Sequence, residues 1–183
     1  MSELEPSAKE EAIRGTVRVQ HGEGDTSLTA EQTVSRSPSE VFRFFADAGN
    51  LERLTPPFLR FRIRSMTSPI VSCDTEITYR LRLHGVPIGW RSLITEWDPD
   101  RGFADLQLRG PFRRWHHRHD FLPTSGGTLI RDRVRFALYG GQFLPRVATR
   151  WVERDLIRIF TYRQTAITTI FPDGALDRET VRA

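Results

Sequence analysis

The chain has 183 residues, 38% of them hydrophobic and 27% charged, with a formal net charge of +4. That is enough for one domain with a sizeable core, and no apolar run approaches the roughly 18 residues of a membrane span. The lone Cys73 excludes an internal disulfide and fits a reducing, cytoplasmic setting, while Lys9 as the only lysine marks an arginine bias of composition rather than a nucleic-acid site.

Residues 1–26 are polar, rich in Glu and Gly and without period. They read as a disordered leader, and lacking an apolar stretch they are not a secretory signal. From Ser27 the alternation Leu28, Ala30, Gln32, Val34 predicts a first strand. Ser37-Pro38-Ser39-Glu40 is a capping box with proline at the first helical position. It opens a short helix with Val41, Phe42, Phe44 and Phe45 as core candidates. A second helical turn is expected near Asn50–Leu54, stopped by Pro56-Pro57.

Six strands follow. Leu59, Phe61 and Ile63 alternate with arginines; Ile77, Tyr79, Leu81 and Leu83 form the next apolar face. Gly85-Val86 as a type II′ turn pairs Leu83 with Ile88, Leu81 with Trp90, Tyr79 with Ser92 and Ile77 with Ile94. Glu96 continues that face. Pro99–Gly102 turns the chain into Phe103, Asp105 and Gln107, and Gly110-Pro111 into Trp115, His117, His119 and Phe121. Ser125-Gly126 makes the last hairpin, leading to Ile130, Asp132, Val134, Phe136 and Leu138. The long pattern from Gln142 to Phe171 has apolar residues at steps of three and four, including Leu144, Val147, Trp151, Leu156, Ile159, Phe160, Ile167 and Ile170. It predicts one helix packed across the concave face of the sheet, with Pro145 in its first turn and Trp151 and Ile159 in the core. Residues 172–183 read as a flexible tail. The class is α+β.

This element order, with Ser-Pro-Ser-Glu-Val-Phe-Arg-Phe-Phe-Ala-Asp at 37–47 and Asn-Leu-Glu-Arg-Leu-Thr-Pro-Pro at 50–57, resembles the START/SRPBCC superfamily, closest to its polyketide-cyclase-like ligand-binding members. Ile94–Pro99, Phe103–Asp105, Gly110–Phe112 and Trp115–Phe121 strengthen the likeness, which covers residues 27–171. It implies a helix-grip fold: a curved seven-stranded antiparallel sheet wrapped around the C-terminal helix, two short helices after the first strand, and a cavity between sheet and helix. Positions matching the Rieske and iron ligands of the superfamily's oxygenases are not visible. The superfamily spans lipid carriers, receptors and cyclases, and a fold alone does not choose among them.

The inner parity carries Tyr79, Trp90, Trp115 and other apolar residues, which as single residues read as ordinary core. The polar members Glu96, Asp105, Gln107, His117, His119 and Asp132 at core parity need partners or water. A wet pocket with convergent polar groups accounts for them; so does a closed hydrogen-bond network that binds nothing. As a pocket, these nine residues orient a small hydrophobic ligand such as a lipid, isoprenoid or polyketide. The alternative is a cofactor-independent cyclase or dehydratase using His119, Asp132 and His117 for acid–base work. No cofactor or resident metal is called for, although His117-x-His119 with Asp105 or Asp132 has a spacing that can hold a metal. Arg60, Arg62, Arg64, Arg80, Arg82, Arg91, Arg118, Arg131, Arg133 and Arg135 take the outer parity and read as a solvated surface. That face leaves peripheral contact with an anionic surface open, but it lacks the stacking aromatics and phosphate loop of a nucleic-acid binder. Nothing in the sequence sets an oligomeric state.

Hairpin arithmetic on Ser125-Gly126 places Phe121 opposite Ile130, His119 opposite Asp132, His117 opposite Val134 and Trp115 opposite Phe136. A slip by one residue would set the histidines against Arg131, Arg133 and Arg135. The His119–Asp132 pair is expected to fix the imidazole tautomer and to raise its pKa.

Overall fold

The computed structural model describes residues 15–22, 24–140, 143 and 146–172. The strands are β1 (Thr16–His21), β2 (Thr26–Val34), β3 (Arg62–Met66), β4 (Glu76–Leu83), β5 (Val86–Asp98), β6 (Gly102–Arg109), β7 (Arg114–Thr124) and β8 (Gly127–Ala137). They form one antiparallel sheet in the order β1-β2-β8-β7-β6-β5-β4-β3. Helix α1 (Pro38–Ala46) and two short 3₁₀ turns, Ala48–Glu52 and Pro57–Leu59, lie between β2 and β3, and helix α2 (Arg146–Ile170) follows the sheet. This is the helix-grip arrangement, with eight strands rather than seven.

The extra strand corrects the leader. Thr16–His21, expected to be disordered, pairs with Thr26–Glu31 of β2. Its alternation is only Val17 and Val19 between polar neighbours, too short to stand out, and it is an edge strand that owes its order to pairing. The Gln164 amide on α2 donates to the carbonyls of Thr16 (3.0 Å) and Glu31 (3.2 Å), pinning both strands to the helix. Gly15, at φ +73°, lies so close to Gln164 that a Cβ there would sit 2.7 Å from its amide. Residues 1–14, the tail from 173, and the expected helix start at Gln142, Leu144 and Pro145 lie outside the described residues.

The capping box forms as predicted: Glu40 N–H donates to Ser37 Oγ (3.4 Å), and Ser37 N–H donates to Glu40 Oε2 (3.0 Å). The cap sets the direction of α1, whose Phe42 ring meets Trp97, Phe103 and Phe121 edge-on. With Phe45, Ile130 and Ile167 these rings close one end of the core. A second cluster, centred on Leu28, Val134, Phe136, Leu156 and Phe160, fills the space between β2, β8 and α2. Each side chain fully buried in this way contributes about 1.5–3 kcal/mol.

Two registers differ from expectation, each for a local backbone reason. The β4–β5 turn is His84-Gly85, not Gly85-Val86; both residues take positive φ (50° and 82°), the primed geometry that matches strand twist. Leu83 therefore faces Val86, Leu81 faces Ile88 and Tyr79 faces Trp90, a two-residue slip that keeps the apolar faces together. In β5 the pairing shifts between Ile94 and Glu96. The bulge turns Glu96 outward to an ion pair with Arg118 and puts Trp97 on the core side. Leu59 belongs to a 3₁₀ turn, and Arg60, at φ 44°, caps it rather than opening a strand.

Helix α2 approaches the sheet most closely at β1 and β2. Its second half is seated there through Phe160, Gln164 and Ile167, whereas Val147 is 66% and Trp151 65% exposed. The expected core position of Trp151 is thus corrected. Three-four spacing assigns a face, not the distance to the opposing sheet.

Candidate functional site: a buried polar cluster in an apolar pocket

Between the Val152–Arg163 stretch of α2 and strands β4–β7 lies a pocket of about 270 Å³. Its lining is mostly aliphatic and aromatic, drawn from the 3₁₀ turns, the concave sheet face and α2. Three ring walls follow from the registers: Tyr79 stacks on Trp90 (17° between planes), and Trp90 meets Trp115 edge-on.

The polar wall is built by two pairings. Asp105 of β6 lies opposite His117 of β7, and His119 of β7 lies opposite Asp132 of β8. The last is the predicted hairpin, and Phe121–Ile130, His117–Val134 and Trp115–Phe136 follow it. Because residues two apart share a face, Asp132 reaches both imidazoles: His119 Nδ1 is 2.6 Å and His117 Nε2 3.2 Å from Asp132 Oδ1. The second contact is an aligned hydrogen bond. The first is short, but His119 Nδ1 lacks an aligned acceptor, so we take it as an electrostatic pairing. On the other side His117 Nδ1 stands 3.7 Å from Asp105 Oδ2. Ser92 Oγ donates to Asp105 Oδ1 (3.0 Å) and accepts from Trp90 Nε1 (3.1 Å). Arg163 of α2 completes the group, its Nη1 3.6 Å from Asp132 Oδ1 and its guanidinium above the Phe160 ring.

Burial dominates the protonation of this group. Desolvation, reinforced by His119, lowers the His117 pKa to about 4. Desolvation also lowers that of His119, even though Asp132 pulls the other way. The expected rise for His119 is therefore corrected in sign: taking an imidazolium out of water costs more than one adjacent carboxylate returns. Burial by itself would raise Asp132, but the adjacent His119 and His117 imidazoles and Arg163 together hold it well below the usual carboxylate range. Desolvation raises Asp105, only partly opposed by His117 and Ser92, and raises Tyr79 well above 10.

Of the nine residues singled out from the sequence, Tyr79, Trp90, Asp105, Trp115, His117 and His119 line the pocket. Asp132 lies behind the imidazoles. Gln107 does not reach the pocket: its amide brackets Phe112, donating to the carbonyl (2.7 Å) and accepting from the N–H (3.3 Å), so it shapes the β6–β7 loop. Glu96 is turned away by the bulge. Sequence reasoning missed Ser92, Arg163 and Asp155. Ser92 was set opposite the wrong partner by the hairpin slip. Arg163 falls at the stripe spacing of Leu156, Phe160 and Ile167, a cation where an apolar residue is due, and that was its signal. Asp155 Oδ2 holds His84 Nε2 at 2.8 Å, tying the β4–β5 turn to α2.

Five of the ten outer arginines pair with acids: Arg131 with Glu31, Arg133 and Arg118 with Asp120, Arg62 with Glu52 and Arg91 with Glu76. No helix among the described residues is long and apolar enough to cross a membrane.

The sequence model of a family described as polyketide cyclase/dehydrase and lipid transport matches residues 25–163. No curated protein sequence matches the chain. Among solved structures, the di-domain ARO/CYC StfQ from the steffimycin biosynthetic pathway aligns with a TM-score of 0.63 at 13% identity, over 80% of this chain and 50% of that one. A protein from Arthrobacter aurescens aligns at 0.62 and 13% identity, over 91% and 98%. Ara h 8.0201 aligns at 0.56 and 16% identity, over 80% and 99%. Likeness at these identities concerns the fold alone.

Proposed function

The chain belongs to the polyketide cyclase/dehydrase and lipid transport family, and on that premise we propose that its pocket takes up a small hydrophobic molecule bearing an oxygen-containing handle. The observation that carries this reading is the placement of Asp105, His117, His119 and Arg163 in the lining of an otherwise apolar pocket. A purely structural network would close on itself. Here Arg163 Nε and Nη1 are buried without a hydrogen-bond partner, and such donors favour an acceptor arriving from outside. Apolar walls supply affinity through burial, and the few polar groups supply orientation. At about 270 Å³, just below the roughly 300–1,000 Å³ of common ligand pockets, the space suits a compact isoprenoid or polyketide-like molecule better than a two-chain lipid.

Carriage is favoured over chemistry by the histidines. An imidazole whose pKa is lowered to about 4 is a weak general base at neutral pH, where the best base titrates near 7. It remains a good hydrogen-bonding partner. The cyclase or dehydratase alternative would use His119 to move a proton, with Asp132 holding the ring. Native mass spectrometry of the purified chain, followed by solvent extraction, tests the reading: a bound apolar molecule recovered unchanged is expected. A new product after incubation would favour the enzyme. The binding reading fails if nothing copurifies and the apolar fluorophore 1-anilinonaphthalene-8-sulfonate binds wild type no better than Leu81→Trp, which fills the pocket.

A further inference from the structure

We infer that Asp105, His117 and His119 form a binding site for one divalent first-row transition metal ion, open on its remaining side to the pocket. One nitrogen of each imidazole and one Asp105 oxygen all lie within 4.8 Å of one another. Ligands bonded at about 2.0–2.2 Å stand about 3–3.5 Å apart, so closure needs side-chain shifts of about an ångström. The His117 Nδ1 to Asp105 Oδ2 distance of 3.7 Å is already close to that.

Three further features distinguish this cluster from a chance meeting of polar groups. Asp132 faces the opposite nitrogens, His117 Nε2 and His119 Nδ1. With His117 Nε2 donating to Asp132, His117 Nδ1 is left as a lone pair 3.7 Å from the Asp105 carboxylate. A lone pair set beside a carboxylate in a largely apolar pocket favours an electropositive centre between them. Next, the outer partners are those a metal site uses. A shared carboxylate backs both imidazoles, and Ser92, itself held by Trp90, donates to the far oxygen of Asp105. Last, the formal charges do not balance: Asp105 and Asp132 are two acids against the single guanidinium of Arg163. That favours a cation over an anion as the missing component. Two nitrogens and one oxygen suit ions of the zinc, iron(II) or cobalt(II) kind over calcium or magnesium, which take oxygen ligands.

The site coincides with the polar wall of the proposed ligand pocket and rests on that reading only in that its open side faces the ligand space. The rival occupant is a proton shared between Asp105 and His117, which predicts no metal uptake. The full chain, carrying no histidine tag, is dialysed against cobalt(II) or zinc(II), desalted and analysed by atomic emission. About one ion per chain is expected, with visible cobalt(II) absorption bands and a zinc-dependent rise in melting temperature. H117A and H119A should lose uptake, while H116A, at the neighbouring outward position, should retain it. D132N should weaken affinity about 10–100-fold, as outer-partner changes do, and shift the cobalt bands.

Wild type that takes up no stoichiometric metal overturns the inference however the variants fold, and so does a loss in H116A equal to that in H117A. Titration of the metal-free chain with 1-anilinonaphthalene-8-sulfonate separates the two proposals. Fluorophore binding without metal uptake overturns the metal site and leaves the pocket reading standing. Metal uptake with neither fluorophore binding nor a copurified molecule supports the metal site and overturns the pocket reading.

Discussion

The two halves of α2 face the same sheet and are treated differently by it. From Leu156 to Ile167 the helix is seated: Phe160 is 3% and Ile167 1% exposed, and Gln164 ties it to β1 and β2. From Val147 to Trp151 it stands away, and both side chains are largely in solvent. The sequence pattern is similar in the two halves; what differs is the opposing surface. Near β1 and β2 the sheet comes close to the helix, and Ile167 joins the buried cluster of Phe45, Phe121 and Ile130. Towards β4 and β5 the sheet curves away, and the gap becomes the pocket. An apolar stripe on a helix is a demand for cover: here Phe160 and Ile167 meet it in the core, Val152, Leu156 and Ile159 also line the pocket, and Val147 and Trp151 are left to solvent.

Four substitutions sharpen the contrast. The largest effect belongs to Ile167→Ala, which opens a cavity in the seated half and should cost about 2–5 kcal/mol, read as a lowered denaturation midpoint with unchanged slope. A loss below 1 kcal/mol would mean that the seated half is as loosely held as the other.

Next, Gln32→Leu removes the amide that donates to Gln164 O (3.1 Å) and Thr168 Oγ1 (2.7 Å). A loss of about 1–3 kcal/mol is expected, since buried acceptors are left without their donor. Hydrogen exchange should quicken in β1 first, because that edge strand depends on the same clasp.

At the packed end, Ser37→Ala breaks the capping box and should cost about 1 kcal/mol. The cap also carries a pH signature. Hydrogen bonds from Ser37 hold the folded-state Glu40 pKa below 4.5, so the stabilisation is present above that value and is lost as pH falls through the folded pKa. In Ser37→Ala this acid-dependent component should shrink; an unchanged pH profile of stability between neutral and pH 3 would show that the box contributes nothing.

The smallest effect is expected for Trp151→Ala, within about 0.5 kcal/mol, as for most surface changes. A cost of several kcal/mol there would mean that the first half of α2 is packed in solution, against the contrast between the two halves.

Much of the frame was legible because it depends on local chemistry. Period-two alternation, the Ser37–Glu40 cap and the Ser125-Gly126 turn each specify structure within a few residues. The last of these also set His119 against Asp132, because a slip by one would bury arginines. The errors arose where a single residue decides. The choice of His84-Gly85 over Gly85-Val86 turned on two positive φ angles, and one bulge after Ile94 reversed the side of Glu96. Strand β1 was invisible because its stability comes from pairing and from Gln164, not from its own composition.

The sequence by itself determined the class of fold, the order of its elements and most of the polar inner wall, since side-chain periodicity is a property of each segment alone. Only the tertiary structure decided that Asp132 backs two imidazoles rather than one, that Arg163 turns into the pocket and that Trp151 does not. Those outcomes depend on the distances between elements remote in sequence. Periodicity carries the direction in which a side chain points and no information about how far away the opposite wall stands.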